Sequence, residues 1–410
     1  VNVPRPTGSP WWSAPWTWIA IGLAARLAHV LSLGDRVYFG DTPEYEQIAL
    51  RILHGVSLGE ASPRAPLYPL WLALSYAIGG EENHRFARLV QVGLCAVQMT
   101  LAVGLATRIG NRAAGAAAAV LVALTPTLVF VSGLLYPTVL YSTLLLGIMV
   151  VAWDLSLRPG VARAALLGVL VVAGWLTDMV IVAPLTAVAL WLLARVRRAG
   201  WALARALAVT TATTALLALP TLQLLRRQGG DRVFMGKAQA VLHFARTDPV
   251  ISRPRWIRHA PGTPFVGLSP RALVAREWGL LRSRPAAYLH DYAFELLHFF
   301  QPLPDRVTSQ NRFNRLPVLL AGAAWFSLVL LLAVAGAARG AGPGRGRVLL
   351  AGAVLATAAF YAFFFSQTRY RIPVEPQLIV LASLAIPRAF PRLSALLAPG
   401  PAHGPGRSGA

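Results

Sequence analysis

The chain has one cysteine and one lysine in 410 residues, and 16 acidic side chains stand against 38 basic ones. The cysteine, Cys95, lies inside an apolar run. This excludes an intrachain disulfide framework and a thiolate metal cluster, and leaves it as a small core residue. Charge of either sign is scarce: 13% of residues are charged, 56% are hydrophobic, and the mean hydropathy is +0.56. So little charge over this length excludes a water-soluble globular domain. The net charge of +22 does not indicate a nucleic-acid partner, because the basic residues are scattered between apolar runs and form no stripe with interleaved aromatics. Nearly all are arginine amid abundant Ala, Gly and Pro, so part of the excess is compositional and reflects a GC-rich genome. Arg5 and a Pro- and Trp-rich stretch precede the first apolar run without a small-residue cleavage site. That run is read as a retained span.

A helical span needs about 20 predominantly apolar residues. Such windows fall at 16–34, 87–107, 113–132, 138–157, 162–177, 179–194, 201–223, 316–338, 347–366 and 373–388. The expected fold is an all-α polytopic membrane protein with about ten transmembrane helices. The apolar stretch from Pro66 to Gly79 is shorter, and its prolines Pro66 and Pro69 suit an interfacial helix in the first external loop. With that stretch in the interface, the arginine-bearing connections 108–112, 158–163, 195–198 and 339–347 and the tail with Arg388 and Arg392 share one side, as the positive-inside bias requires. The other side receives residues 35–86, the turns at 133–137 and 177–178, the segment 226–315 and the connection 367–371.

The expected organisation is an N-terminal module over 1–225 with its external loop at 35–86, an external segment at 226–315, C-terminal spans over 316–396, and a disordered Gly/Pro-rich tail at 397–410. Within 226–315, Ser269 and Pro270 read as a helix start, and a second helix runs from about Pro285 to Phe300. Their mix of aromatics and arginines fits either helices lying on a lipid surface or a packed cap over the spans. Arg26 lies within the first span, where a charge must face protein or a water-filled cavity. No internal repeat of fixed period is present.

The external loop from Gly40 to Leu74 is the richest in chemistry. Asp41 and Glu44 precede a helix with Ile48, Ala49 and Ile52 at helical spacing, and Tyr45 lies one turn after Asp41. Taken alone, Asp41 is an N-cap and Glu44 completes a capping box. The pattern Asp41, Tyr45, Ala49, Gly55 and the run Arg64 to Leu74, reading RAPLYPLWLAL, resembles the first loop of the GT-C membrane glycosyltransferases of the protein mannosyltransferase and aminoarabinose transferase branch. A second match, Tyr370-Arg371-Ile372-Pro373-Val374-Glu375-Pro376, resembles the same family's C-terminal signature.

The resemblance implies a GT-C fold and an inverting transfer of a sugar from a polyprenyl-phosphate-linked donor. The acceptor is a hydroxyl of a lipid, glycan or protein, on the periplasmic or exterior face of a bacterial inner or plasma membrane. It makes Asp41 the general base, with Glu44 orienting it or binding acceptor. Arg64, Arg369 and Arg371 are the donor-phosphate ligands. Tyr45, Tyr68, Tyr370, Glu375 and Asp178 line the substrate pocket. Departures from the family occur at Leu135-Tyr136-Pro137-Thr138, where relatives often carry an acidic metal ligand, and at Thr177-Asp178-Met179, where many have an arginine. A divalent metal therefore stays open as a cofactor. Asp178 is read as a solvated turn carboxylate, an acceptor ligand or a partner of Arg369. The Asp291, Glu295 and His298 face has metal-ligand spacing but no partner helix. His54 and His84 read as structural, and Arg85 and Arg88 as carrier-phosphate or headgroup contacts. The rival readings are a transporter or flippase, which predicts inverted repeats not seen here, and a non-catalytic carrier-lipid-binding protein of the same fold.

Overall fold

The computed structural model describes residues 14–38, 40–56, 64–227, 270–305 and 315–397. The expected cap Ser269, most of the segment 226–269 and the tail after Leu397 lie outside the described residues. Every regular element among those described is a helix. In chain order these are α1 (Pro15–Leu33), α2 (Thr42–Leu53), α3 (Leu67–Gly79), α4 (His84–Ile109), α5 (Arg112–Leu124), α6 (Pro126–Ser132), α7 (Thr138–Leu157) and α8 (Val161–Thr177). They continue with α9 (Val182–Arg227), α10 (Pro270–Ser283), α11 (Pro285–Phe299), α12 (Leu316–Arg339), α13 (Gly344–Phe364), α14 (Thr368–Arg371), α15 (Glu375–Ala389) and α16 (Pro391–Leu397). Among the described helix starts, Asn83 accepts from the Phe86 amide at 2.9 Å and Asn111 from the Ala114 amide at 2.9 Å.

Among the described residues seven helical stretches are long and apolar enough to cross a membrane, and eight when the bent pair α5–α6 is one span. The chain is thus an integral membrane protein. The 58° bend falls at Thr125, where Pro126 disfavours a helical conformation for the residue before it. The expected ten spans are not reached by length alone, for two physical reasons. Helix α8 has only 17 residues, and two expected windows fall in the 46-residue α9. Gly200 breaks α9 with a left-handed φ of 68°, so it has two arms. The second arm rises beside α8, because Thr210 donates to the Ala164 carbonyl at 3.0 Å and Gly168 packs on Thr213. The first arm descends from the turn at 178–181, so the chain reverses at Gly200.

The central stretches are α7 and Thr368–Ala389, with 78% and 72% of their apolar windows buried, whereas α12 at 22% is peripheral. Close approach of α12 to α15 needs Gly336, where a Cβ would lie 1.8 Å from the Leu381 carbonyl oxygen. The arginine-bearing connections gather at one end. Arg108 pairs with Asp154 at 3.5 Å, Arg345 lies over Trp153, Trp191 donates to the Arg345 carbonyl at 2.8 Å, and Arg388 donates to the Arg339 carbonyl at 2.8 Å. Residues 40–45, 64–68, 133–137 and 365–371 come together away from that arginine-rich end.

Candidate active site

Helix α2 begins with Asp41 at the N-cap position, Pro43 in the first turn and Glu44 behind it. The Asp41 carboxylate does not cap the helix: its backbone is α-helical (φ −84°, ψ −12°) and it accepts no cap hydrogen bond. One carboxylate oxygen faces Arg64 Nη2 at 3.6 Å and the other faces Arg369 Nη1 at 3.6 Å. Glu44 takes Arg64 Nε at 2.8 Å, so the expected capping box is replaced by a cluster of two carboxylates and two guanidinium groups. All four side chains are partly accessible. A ligand can therefore reach them without a core rearrangement.

Aromatic packing sets the depth of the arginines. Tyr45 is buried and meets Tyr68 edge-on at 5.4 Å and Tyr136 edge-on at 5.5 Å. The Arg64 guanidinium lies 5.1 Å over the Tyr45 ring, and that of Arg369 lies 5.3 Å over Tyr370. Tyr370 stacks on Tyr361 at 4.4 Å. Burial pushes the phenols of Tyr45, Tyr68 and Tyr136 up, so all three stay neutral donors well into the alkaline range. Asp178 caps the turn after α8, accepting from the Val180 amide at 3.1 Å.

The floor is fastened by residues that sequence reasoning missed or read differently. Gln91 on α4 donates to the Leu134 and Ser132 carbonyls at 2.7 and 2.9 Å and accepts from Tyr68 at 3.4 Å. Arg88, one turn earlier, is read from the sequence as a phosphate or headgroup contact. It is instead buried, and its guanidinium donates to the backbone carbonyls of Gly133, Gly34 and Arg36. Thr42 adds a bond to the Leu135 carbonyl at 3.1 Å. Polar side chains one turn apart inside an apolar span were the available signal. His84 and His54 hold the loop's periphery: His84 meets Glu46 at 2.5 Å, Tyr76 donates to the same carboxylate at 2.6 Å, and His54 meets Glu81 at 3.1 Å.

Arg371 is not brought to the Asp41 cluster. It is buried, donates through Nε to Glu375 at 3.1 Å and through Nη1 to the Gln301 carbonyl, and covers the Phe326 ring. Glu375 is thereby engaged in the interior. The Asp291, Glu295 and His298 face of α11 is buried as well. Glu295 accepts from the Ser366 amide at 2.6 Å, and His298 meets Asp305 at 3.0 Å. Asp305 in turn accepts from the Thr368 amide at 2.8 Å, and its own amide donates to the Thr368 hydroxyl at 3.0 Å. These bonds hold the segment that presents Arg369. Asp305→Ala is expected to destabilise the protein by about 1–3 kcal/mol for each buried donor left unsatisfied. Asp305→Asn, which still offers an acceptor, is expected to lose less, and thermal unfolding of the two variants checks the order.

Among the described residues no three His, Cys, Asp or Glu side chains converge as a metal site. Asp41 does not fit a divalent cation as it stands, because each of its oxygens faces a guanidinium and the neighbouring turn offers Tyr136 in place of a carboxylate.

No protein-family profile matches the chain, and no curated protein matches it. Solved structures do. ArnT from Cupriavidus metallidurans bound to undecaprenyl phosphate is 17% identical, with a TM-score of 0.60 over 94% of this chain and 62% of that one. The archaeal oligosaccharyltransferase AglB from Archaeoglobus fulgidus, in complex with an inhibitory peptide and a dolichol-phosphate, is 15% identical, with a TM-score of 0.54 over 92% of this chain and 50% of that one. The chain spans less than two thirds of the length of either. Its bundle, with the segments 40–45, 64–68 and 365–371 meeting at one end, has the fold of the GT-C membrane glycosyltransferases.

Proposed function

We propose that the protein transfers a sugar from a polyprenyl-phosphate carrier to a hydroxyl acceptor, with inversion, at the non-cytoplasmic face of a bacterial inner or plasma membrane. The observation that carries this reading is the Asp41 carboxylate, released from helix capping and held between two guanidinium groups. Undecaprenyl phosphate in ArnT and dolichol-phosphate in AglB support a lipid-phosphate ligand for the shared fold.

The chemistry follows from charge. The donor phosphate is a phosphodiester anion whose two non-bridging oxygens can each accept from a guanidinium, so Arg64 and Arg369 move onto it when the donor binds. Their contacts with Asp41, at 3.6 Å, are ion pairs longer than good hydrogen bonds, and are exchanged at little cost. Asp41 then accepts the proton of the acceptor hydroxyl while the hydroxyl oxygen attacks the anomeric carbon from the face opposite the phosphate. The bond between that carbon and the phosphate oxygen breaks, and the polyprenyl phosphate leaves with its charge on the two arginines. Glu44 holds Arg64 in place, and the rings of Tyr45, Tyr68 and Tyr370 shape the pocket, with Asp178 at its edge. Arg371 and Glu375 act by fixing the loop that carries Arg369.

Purified protein in lipid nanodiscs, given a set of polyprenyl-phosphate sugars and hydroxyl acceptors, is expected to release polyprenyl phosphate with one donor in the set. Bound donors that are never consumed would contradict the catalytic reading.

A further inference from the structure

The hairpin of α10 and α11 is polar on the inside and apolar on the outside. All four of its acidic residues in 270–305, Glu277, Asp291, Glu295 and Asp305, are buried. On α11 the inward stripe is Asp291, Glu295 and His298, while the outward stripe is Leu289, Phe294 and Leu297, the last 74% exposed. On α10 Val274 and Trp278 are exposed, 69% and 51%, and Arg282 lies 5.0 Å over the Trp278 ring. Arg271, Arg282 and Arg284 are exposed too. A helix in water buries its large apolar side chains and exposes its acids; α11 buries Phe299 but exposes Leu289, Phe294 and Leu297 while burying both of its acids.

We propose that this hairpin is seated in the membrane leaflet on the Asp41 side and binds anionic phospholipid there. Leu289, Phe294 and Leu297 face the acyl chains. Trp278 lies at the level of the headgroups, and Arg271, Arg282 and Arg284 take their phosphates. The acids are withdrawn to the inner face, so the described outer face carries apolar side chains and arginines and no carboxylate, the complement of an anionic leaflet. The side is given by the inner face, since Glu295 and Asp305 hold the Ser366 to Thr368 segment next to Arg369. The surface is separate from the Asp41 cluster, and the proposal does not depend on the transfer reaction.

Nitroxide labels at Leu297→Cys and Phe294→Cys, in full-length protein in nanodiscs, test the seating directly. The native Cys95 is buried, and unmutated protein controls for its labelling. Both labels are expected to relax with oxygen, which partitions into lipid, and not with a water-soluble nickel chelate, whereas a label at Glu81→Cys is expected to do the opposite. Nickel access at Leu297, or a label immobilised against a protein partner, would overturn the proposal. Anionic selectivity is read separately. The unfolding midpoint is expected to be higher in nanodiscs containing phosphatidylglycerol than in phosphatidylcholine alone, and Arg271→Gln with Arg282→Gln is expected to remove the difference. Equal midpoints for the unmutated protein in both lipids would overturn that part.

Discussion

Asp41→Asn is expected to slow sugar transfer by about 10²–10⁴-fold, the range over which a positioned general base contributes. The substitution keeps the shape of the side chain and removes its capacity to accept a proton. A purely structural Asp41 predicts a different result. In that case the variant would lose a helix cap, but Asp41 donates nothing to the cap and accepts no bond there. Its ion pairs with Arg64 and Arg369 are partly exposed, and pairs of that kind contribute about 0–1 kcal/mol. The unfolding midpoint is therefore expected to stay close to that of the unmutated protein while the initial rate collapses. A variant that keeps the rate would refute the base assignment; one that loses rate and midpoint together would make Asp41 structural.

Arg369→Ala is expected to lower kcat by about 10²–10³-fold, comparable to removing one preorganised donor from a site where negative charge develops. Under the proposed transfer the effect belongs in kcat, because a leaving phosphate gains negative charge as its bond to the sugar breaks. Arg369→Lys restores the positive charge without the planar fork, and partial recovery is expected. In the proposed mechanism Arg64→Ala acts on the same phosphate, and it also releases Glu44 and uncovers Tyr45. The losses from the two arginine variants are therefore expected not to add, and a double-variant cycle on initial rates measures the shortfall. A kcat unchanged in Arg369→Ala would remove that arginine from the leaving-group site.

Much of this arrangement is legible in the sequence, and what is not has definite physical causes. Helix type and the position of apolar windows follow from hydropathy, because a bilayer admits only helices whose backbone groups are satisfied internally or closed barrels. The meeting of Asp41 with Arg64 and Arg369 is anticipated only through the family resemblance and the side assigned to each loop, since nothing local links positions more than 300 residues apart. The role of Arg371 is hidden because neighbouring arginines in a short turn alternate direction: Arg369 faces Asp41, while Arg371 turns inward to Glu375. Arg88 and Gln91 are polar residues in an apolar helix, but the carbonyls they satisfy belong to the turn at 131–136 and the linker at 34–36, whose irregular backbone hydropathy does not reveal. The number of spans is blurred by Gly200, a single residue whose left-handed φ divides one hydrogen-bonded run into two arms. The inverted polarity of α11 is visible as a periodicity, yet its direction is set by the Ser366 amide and Asp305, which only the fold brings near.

Polyprenyl phosphate, the carrier without its sugar, probes the Asp41 cluster apart from any acceptor. A ligand that binds only the folded protein raises its unfolding midpoint with concentration. The unmutated protein in nanodiscs is expected to be stabilised by polyprenyl phosphate, Glu81→Gln to be stabilised equally, and Arg64→Gln with Arg369→Gln to respond no longer. The same stabilisation in the double variant would contradict a phosphate site at these arginines, and with it the transfer mechanism built on them.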